Sequence, residues 1–252
     1  MKLEKVELFL KLITKSRSAV VLTGAGISTD SGIPDYRSPG TGLWEKMDQS
    51  VVSLSGFLKK PESYYSYALE LHHIRSQAKP NIAHNMLATL EKDGLVKAVI
   101  TQNVDGLHKE AGSKSVYELH GSLREAFCLS CNSLYLMEHI MQRVKKGDNP
   151  PLCEKCGGIV KPRAVFFGEQ LPVLEWEKSL EWVNKTDFLF IVGSSLQVSP
   201  VNSFPLEAVR GGAKVAILNI QETPFDRVAD LVIHEKIGDF FADLHRLYGK
   251  NK

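Results

Sequence analysis

Short apolar runs that each stop at a polar or glycine residue recur along this chain, separated by segments with helical spacing. Ala19 to Thr23 runs straight into Gly24-Ala25-Gly26. Ala98 to Ile100 stops at Thr101-Gln102-Asn103, with Asp105 and His108 just beyond, and Val116 to Leu119 stops at His120-Gly121. Pro162 to Phe167 ends in Gly168-Glu169, Asp187 to Val192 in Gly193-Ser194-Ser195, and Ala213 to Leu218 in Asn219. Leu231 to Ile233 is the last such run. Continuous apolar runs of this length predict strands buried on both faces, as in a parallel sheet. Helical spacing predicts helices over Pro61 to Gln77, Asn81 to Lys92 and Gly238 to Tyr248. At the N-terminus Val6, Phe9, Leu10 and Ile13 form the apolar stripe of an amphipathic helix. Ser38 to Ser55, rich in Gly, Ser and charge, reads as a long loop of the kind that covers a ligand site. Strands alternating with helices argue an α/β fold with a parallel, helix-covered sheet. Ligands of such sheets bind outside the carboxyl ends of the strands, where the polar strand ends collect. The pattern predicts a Rossmann-like dinucleotide domain with its site along one edge.

Composition sharpens this picture only a little. The 252 residues, 43% apolar and 24% charged, suit one large domain or a large domain carrying a small module. A net charge of +2 argues against a polyanion-binding surface, so no direct nucleic-acid partner is expected. Lys11 to Arg17 and Lys145-Lys146 read as solvated patches. No apolar run is long enough to span a bilayer, and acids inside the first helix argue against a signal peptide. The expectation is a cytoplasmic protein with no membrane partner and no required oligomer.

Candidate chemistry begins at the first strand end. Gly24 and Gly26 lack a Cβ, so the sequence predicts strained dihedrals there and close approach to a ligand. Ile27 to Ser31 is expected to open a short helix whose free N–H groups face a pyrophosphate. The third glycine is Gly32, which departs from the regular dinucleotide spacing. Asp35-Tyr36-Arg37 then places a carboxylate, a ring and a guanidinium in succession, which suits a charged ligand better than an ordinary turn. Separately, Cys128-x-x-Cys131 and Cys153-x-x-Cys156 have the spacing of a four-thiolate zinc site. With four protein ligands no position is left for substrate, so the zinc is expected to be structural. Two disulfides are the rival reading, disfavoured by the expected compartment.

In order along the chain, GAGISTDSGIPDYR (24–37), TQNVDGLH (101–108), HG (120–121), the two cysteine pairs, FFGEQLP (166–172), GSSLQVSP (193–200) and the strand end at Asn219 resemble the motifs of sirtuins. Sirtuins are NAD-dependent protein-lysine deacylases, and the resemblance runs from about Ser18 to Asp239. It implies a Rossmann domain over 1–37, 79–122 and 162–252, with a smaller domain made of a helical module (38–78) and a zinc module (123–161). Acetylated substrate, bound in an extended conformation, would occupy the cleft between them.

The same resemblance implies roles. Gly24, Ala25 and Gly26 would cradle the pyrophosphate, while Ser194, Ser195 and Asn219 would hold the adenosine half. Gln102, Asn103 and Asp105 would surround the nicotinamide ribose, and Thr29, Gly193 and Ile237 would complete the cofactor contacts. Asp35, Tyr36 and Arg37 would belong to a loop closing over NAD, with tyrosine where the family usually has phenylalanine. His120 would be the general base and Asn103 the second catalytic residue. Val165, Phe167, Gly168, Glu169 and Leu171 would form a strand pairing with the peptide, with Val198 on its other side. No hydride moves in the implied reaction. The acyl oxygen attacks the ribose carbon bearing nicotinamide, His120 assists a ribose hydroxyl, and water releases free lysine and O-acetyl-ADP-ribose.

Three rivals share parts of this reading. A mono-ADP-ribosyltransferase would use the same first bond cleavage, a dehydrogenase would transfer hydride, and a nucleotide sensor would not need His120. For acyl choice, sirtuins that take succinyl- or malonyl-lysine share a Tyr-x-x-Arg pair. The matching stretch here is Tyr65-Ser66-Tyr67-Ala68, with Arg75 about two helical turns further on. Acetyl-lysine is therefore expected over succinyl-lysine.

Overall fold

In the computed structural model, which describes residues 2–250, nine strands form two sheets. The strands are β1 (Ala19–Thr23), β2 (Val96–Thr101), β3 (Val116–Glu118), β4 (Gly121–Cys128), β5 (Leu134–Leu136), β6 (Val160–Ala164), β7 (Phe188–Val192), β8 (Lys214–Leu218) and β9 (Leu231–Ile233). The helices are α1 (Lys2–Lys15), α2 (Leu54–Lys59), α3 (Pro61–Gln77), α4 (Ile82–Lys92), α5 (Leu107–Glu110), α6 (Met137–Lys145), α7 (Val173–Lys185), α8 (Phe204–Arg210) and α9 (Ile237–Lys250).

Six strands run β3-β2-β1-β7-β8-β9, every neighbouring pair parallel. Strand order reverses between β1 and β7, so the crevice at their carboxyl ends is the place where such a sheet takes a ligand. Gly24 and Gly193 stand there. The period-2 pattern explains the layers. Val21, Val99 and Phe190 face a core built by α1, α4 and α9, whose Phe9, Leu87 and Phe240 are all but fully buried. Val20, Ile100 and Ile191 face the opposite core, closed by Val183 of α7 and Phe204 of α8. The predicted stripe of α1 (Val6, Phe9, Leu10, Ile13) lies wholly in the first core.

The second sheet is antiparallel, β5-β4-β6, and carries the cysteines. The apolar run from Pro162 to Phe167 therefore belongs to no parallel strand. Its first half ends β6, antiparallel to β4, and its second half is irregular. Pro162 lacks an N–H donor, which suits a three-stranded sheet better than the middle of a parallel one. Nor is Ser38 to Ser55 a bare loop: it holds 3-10 turns at Leu43–Glu45 and Gln49–Val52 and leads into α2. Phe57 of α2 and Tyr65 of α3 share one core with Ile140 of α6 and Val160 of β6. The two small segments are thus packed together. No described helix is long and apolar enough to cross a membrane.

Candidate active site

Two glycine turns interlock at the sheet's crevice. The Gly24 amide donates to Val192 O (3.0 Å) and Gly26 to Gly193 O (2.9 Å), while Gly193 itself donates to Leu218 O (2.9 Å). The expectation of strained dihedrals at Gly24 and Gly26 is not met: Gly24 is extended (φ −125°, ψ −174°), and neither has positive φ. What excludes a side chain is the neighbouring turn. A Cβ on Gly24 would lie 2.7 Å from Gly193 O, and one on Gly26 would lie 2.8 Å from Gly193 Cα. Gly193 does sit in the left-handed region (φ +62°), and its Cβ would meet Ile27 N at 2.4 Å. Gly193→Ala thus combines strain with overlap and is expected to destabilise by about 1–3 kcal/mol. An unchanged denaturation midpoint would contradict this interlock. After Gly24 the expected short helix takes the 3-10 form, over Ala25–Ser31, with fewer residues per turn than an α-helix.

The second corner is built on Thr101. Gln102 continues the ladder by donating to Thr23 O (3.0 Å), and its Nε2 reaches Ser194 Oγ at 2.9 Å. The buried Asn103 donates from Nδ2 to Ser28 Oγ (3.1 Å), and Ser28 donates to Asp105 Oδ2 (2.7 Å). Sequence reading missed Ser28; its only signal was its place inside the first motif. Beneath this row Thr23 Oγ1 lies 2.8 Å from Thr101 Oγ1 and 2.9 Å from His108 Nε2. The His108 ring packs against His84 with centroids 4.8 Å apart. Burial holds His84 down to about 4 and His108 well below its ordinary value, so both are neutral structural groups near pH 7.

His120 follows β3 and lines the same cleft as Gln102 and Asn103. Its Nδ1 lies 2.9 Å from Gln102 O. A carbonyl only accepts, so Nδ1 carries the hydrogen and Nε2 keeps its lone pair in the neutral ring. Burial lowers the His120 pKa, and the bond to Gln102 O opposes that shift. The site therefore holds a histidine in base form with its tautomer set.

Two adjoining cavities, of about 270 and 350 Å³, share Ala25, Tyr36, Gln102 and Asn103 in their walls. The first brings together Gly24, Gly26, Asp35, Arg37, His120, Gly193, Ser194, Ser195 and Asn219, together with all the expected peptide-side residues: Val165, Phe167, Gly168, Glu169, Leu171 and Val198. Asp105 lines the second. Thr29 and Ile237 line neither. Thr29 is exposed with its hydroxyl donated to Gly26 O (2.9 Å), and Ile237 lies in the first core. Asp35 accepts from the amides of Arg37 and Ser38 and so shapes its own loop. Trp44, missed in the sequence, packs between Tyr36 (centroids 4.7 Å apart) and Phe167 (6.0 Å), its ring tilted to both.

Two expectations shift in detail. The segment from Val165 to Leu171 is not a free strand: Phe167 already donates to Val52 O (3.0 Å) and accepts from Leu54 N (2.9 Å). Glu169 turns its carboxylate inward, onto Lys161. Likewise Tyr65 donates its hydroxyl to Val160 O (2.6 Å) in the interior, while Tyr64, Tyr67 and Arg75 line the cleft.

The four cysteines converge. Their sulfurs all lie within 4.8 Å of one another, with Cys128–Cys156 at 3.5 Å and Cys131–Cys153 at 3.6 Å. A tetrahedral zinc with about 2.3 Å bonds needs sulfurs about 3.8 Å apart, whereas a disulfide needs about 2.05 Å. The set fits zinc. Each pair sits on a tight turn, closed by Asn132 N to Cys128 O (3.0 Å) and Gly157 N to Cys153 O (2.9 Å).

The Sir2 family model matches residues 24–200. This chain belongs to the Sir2 family. An NAD-dependent protein deacetylase of Thermotoga maritima is 44% identical over 94% of this chain and 95% of its own length. A solved Sir2 complex with p53 peptide and NAD+ superposes with a TM-score of 0.91 at 41% identity, covering 97% of this chain and 99% of the other. A Sir2 histidine-to-alanine variant holding deacetylated p53 peptide and 3'-O-acetyl ADP ribose gives 0.93 at 41%, covering 97% and 98%.

Proposed function

We propose that this Sir2 chain is an NAD-dependent protein-lysine deacetylase that yields free lysine, nicotinamide and O-acetyl-ADP-ribose. The observation that carries the reading is His120, its Nδ1 fixed by Gln102 O, in one cleft with Asn103 and the Gly24–Gly193 crossing. NAD, when bound, supplies the ribose carbon that accepts the acyl oxygen. The interlocked turns leave main chain without side chains where a pyrophosphate would lie, and Ser194, Ser195 and Asn219 flank them. Ser28 and Asp105 orient the Asn103 amide toward the sugar. Nε2 of His120 takes a proton from a ribose hydroxyl. Val165, Gly168 and Leu171 on one side and Val198 on the other would flank an extended peptide. We take 38–78 and 123–161 as the small domain, with zinc held by Cys128, Cys131, Cys153 and Cys156.

Mass spectrometry of an acetyl-lysine peptide, with and without NAD, tests the reading. NAD-dependent loss of the acetyl group with appearance of O-acetyl-ADP-ribose is expected. A peptide that gains ADP-ribose instead would move the chain to the transferase alternative.

Acyl choice follows from the same walls. Neither the inward Tyr65 nor Ala68 offers a carboxylate partner, and a dicarboxylic chain would leave its charge desolvated. Acetyl-lysine should exceed succinyl-lysine in kcat/KM by about tenfold or more on one peptide. Equal succinyl turnover that disappears in Arg75→Met would overturn this and give the role to Arg75.

A further inference from the structure

Lys161 is a charged residue almost without exposure (1%), placed at the second position of β6. Its ammonium has three partners: it donates to Pro162 O at 3.1 Å and Ala164 O at 2.8 Å, and pairs with Glu169 Oε2 at 2.8 Å. The same nitrogen stands 4.1 Å from the centroid of the Phe166 ring. Glu169 in turn accepts from Phe166 N (2.7 Å), while its own amide donates to Phe166 O (3.0 Å) around Gly168, whose φ is +91°. Lys161 thus ties the end of β6 to the carboxylate that closes the turn Phe166–Glu169, and that turn lines the cleft.

That turn is tied to the rest of the site at both ends. Val165 donates to His120 O (2.8 Å), and Phe167 is paired with Val52 and Leu54 beside the helical segment. On the other side Lys161 is the register partner of Phe127, and its neighbour Val160 is the partner of Cys128. A buried ion pair is a poor way to gain stability, since apolar residues of similar volume often do as well or better. Its advantage is direction. One ammonium holding two carbonyls of β6 and the carboxylate of Glu169 fixes where the turn sits relative to the strand it leaves.

We propose that Lys161 is a positioning residue for the acyl-lysine peptide, holding through Glu169 the main-chain turn Phe166–Glu169 against which the peptide lies. This rests on the deacetylase reading and adds to it the element that orients the substrate backbone. Peptide recognition by main-chain pairing depends on backbone placement more than on side-chain chemistry. Loss of Lys161 should therefore appear in peptide binding. NAD binding, proposed at the glycine turns and around Asn103, should be spared.

The test is steady-state kinetics of Lys161→Met, Lys161→Arg and Glu169→Gln with separate peptide and NAD titrations, zinc content being checked first. Wild-type turnover of acetyl peptide controls for the function itself, and its absence would overturn both readings. Glu169→Gln keeps shape at a partly exposed position and gives the second variant where Lys161→Met fails to fold. Lys161→Met and Glu169→Gln are expected to raise peptide KM about tenfold, with NAD KM changed less than about twofold, and Lys161→Arg to recover most of the loss. Unchanged peptide KM in the folded variants, or a parallel rise in NAD KM, would overturn the assignment.

Discussion

Replacing His120 with alanine is expected to lower deacetylation by about 10²–10⁴-fold, the usual range for a general base. The side chain is fixed rather than merely present: Gln102 O holds Nδ1–H, which leaves Nε2 as the accepting atom. Removing it takes away the proton acceptor without touching the interlocked turns at Gly24 and Gly193. NAD affinity measured by calorimetry should therefore change only a few-fold. The pH profile follows from the same contacts. The base works when neutral, and burial lowers its pKa below the ordinary imidazole value of about 6.5. Activity should thus persist as pH falls through that value and decline only below it, on an acid limb missing from the His120→Ala profile. Near-normal turnover in the variant would remove His120 from the mechanism.

What could be read from the sequence was whatever depends on local period and strand ends. Both-face burial of Val20 to Leu22 and Phe188 to Val192 follows from unbroken apolar runs, and the polar residues after them had to share one edge. Roles that depend on a distant partner were misjudged or missed. Gly24 and Gly26 are small because Gly193 lies against them, a contact across about 170 residues that no turn rule anticipates. Glu169 was expected to face substrate, yet a buried Lys161 draws it inward. Tyr65 and Tyr67 are two positions apart on α3, which places them on different sides of the helix; only packing against Val160 decides which one reaches the cleft. Ser28 and Trp44 had no signal of their own. Their importance lies in Asn103, Asp105, Tyr36 and Phe167, all brought near by the fold.

Removing zinc is expected to unfold the small module and leave the parallel sheet standing. The structure divides its apolar residues accordingly. Two cores cover the faces of the six-stranded sheet, and a third joins Phe57, Tyr65, Ile140 and Val160 with two of the cysteines, Cys128 and Cys153. The cysteine turns hold a sheet of only three strands, one of them just Leu134–Leu136 with both leucines exposed. The apolar burial of 123–161 is shared with the helical segment through Phe57 and Tyr65 and is not a closed core of its own, whereas structural zinc contributes about 10–16 kcal/mol in zinc-finger peptides. Loss of the metal removes a term comparable to the whole stability of a typical domain, about 5–15 kcal/mol. Since Val160 and Lys161 of β6 pair with Cys128 and Phe127, melting would spread into the turn at Phe166–Glu169. Deacetylation should then fail although no zinc ligand lines the cleft. Hydrogen exchange after chelation reads this directly. Residues 123–161 should lose protection while β1, β7 and β8 keep theirs. Protein depleted of zinc that retains protection across 123–161 would show that the thiolates hold the module without metal, and the four cysteines would need another explanation.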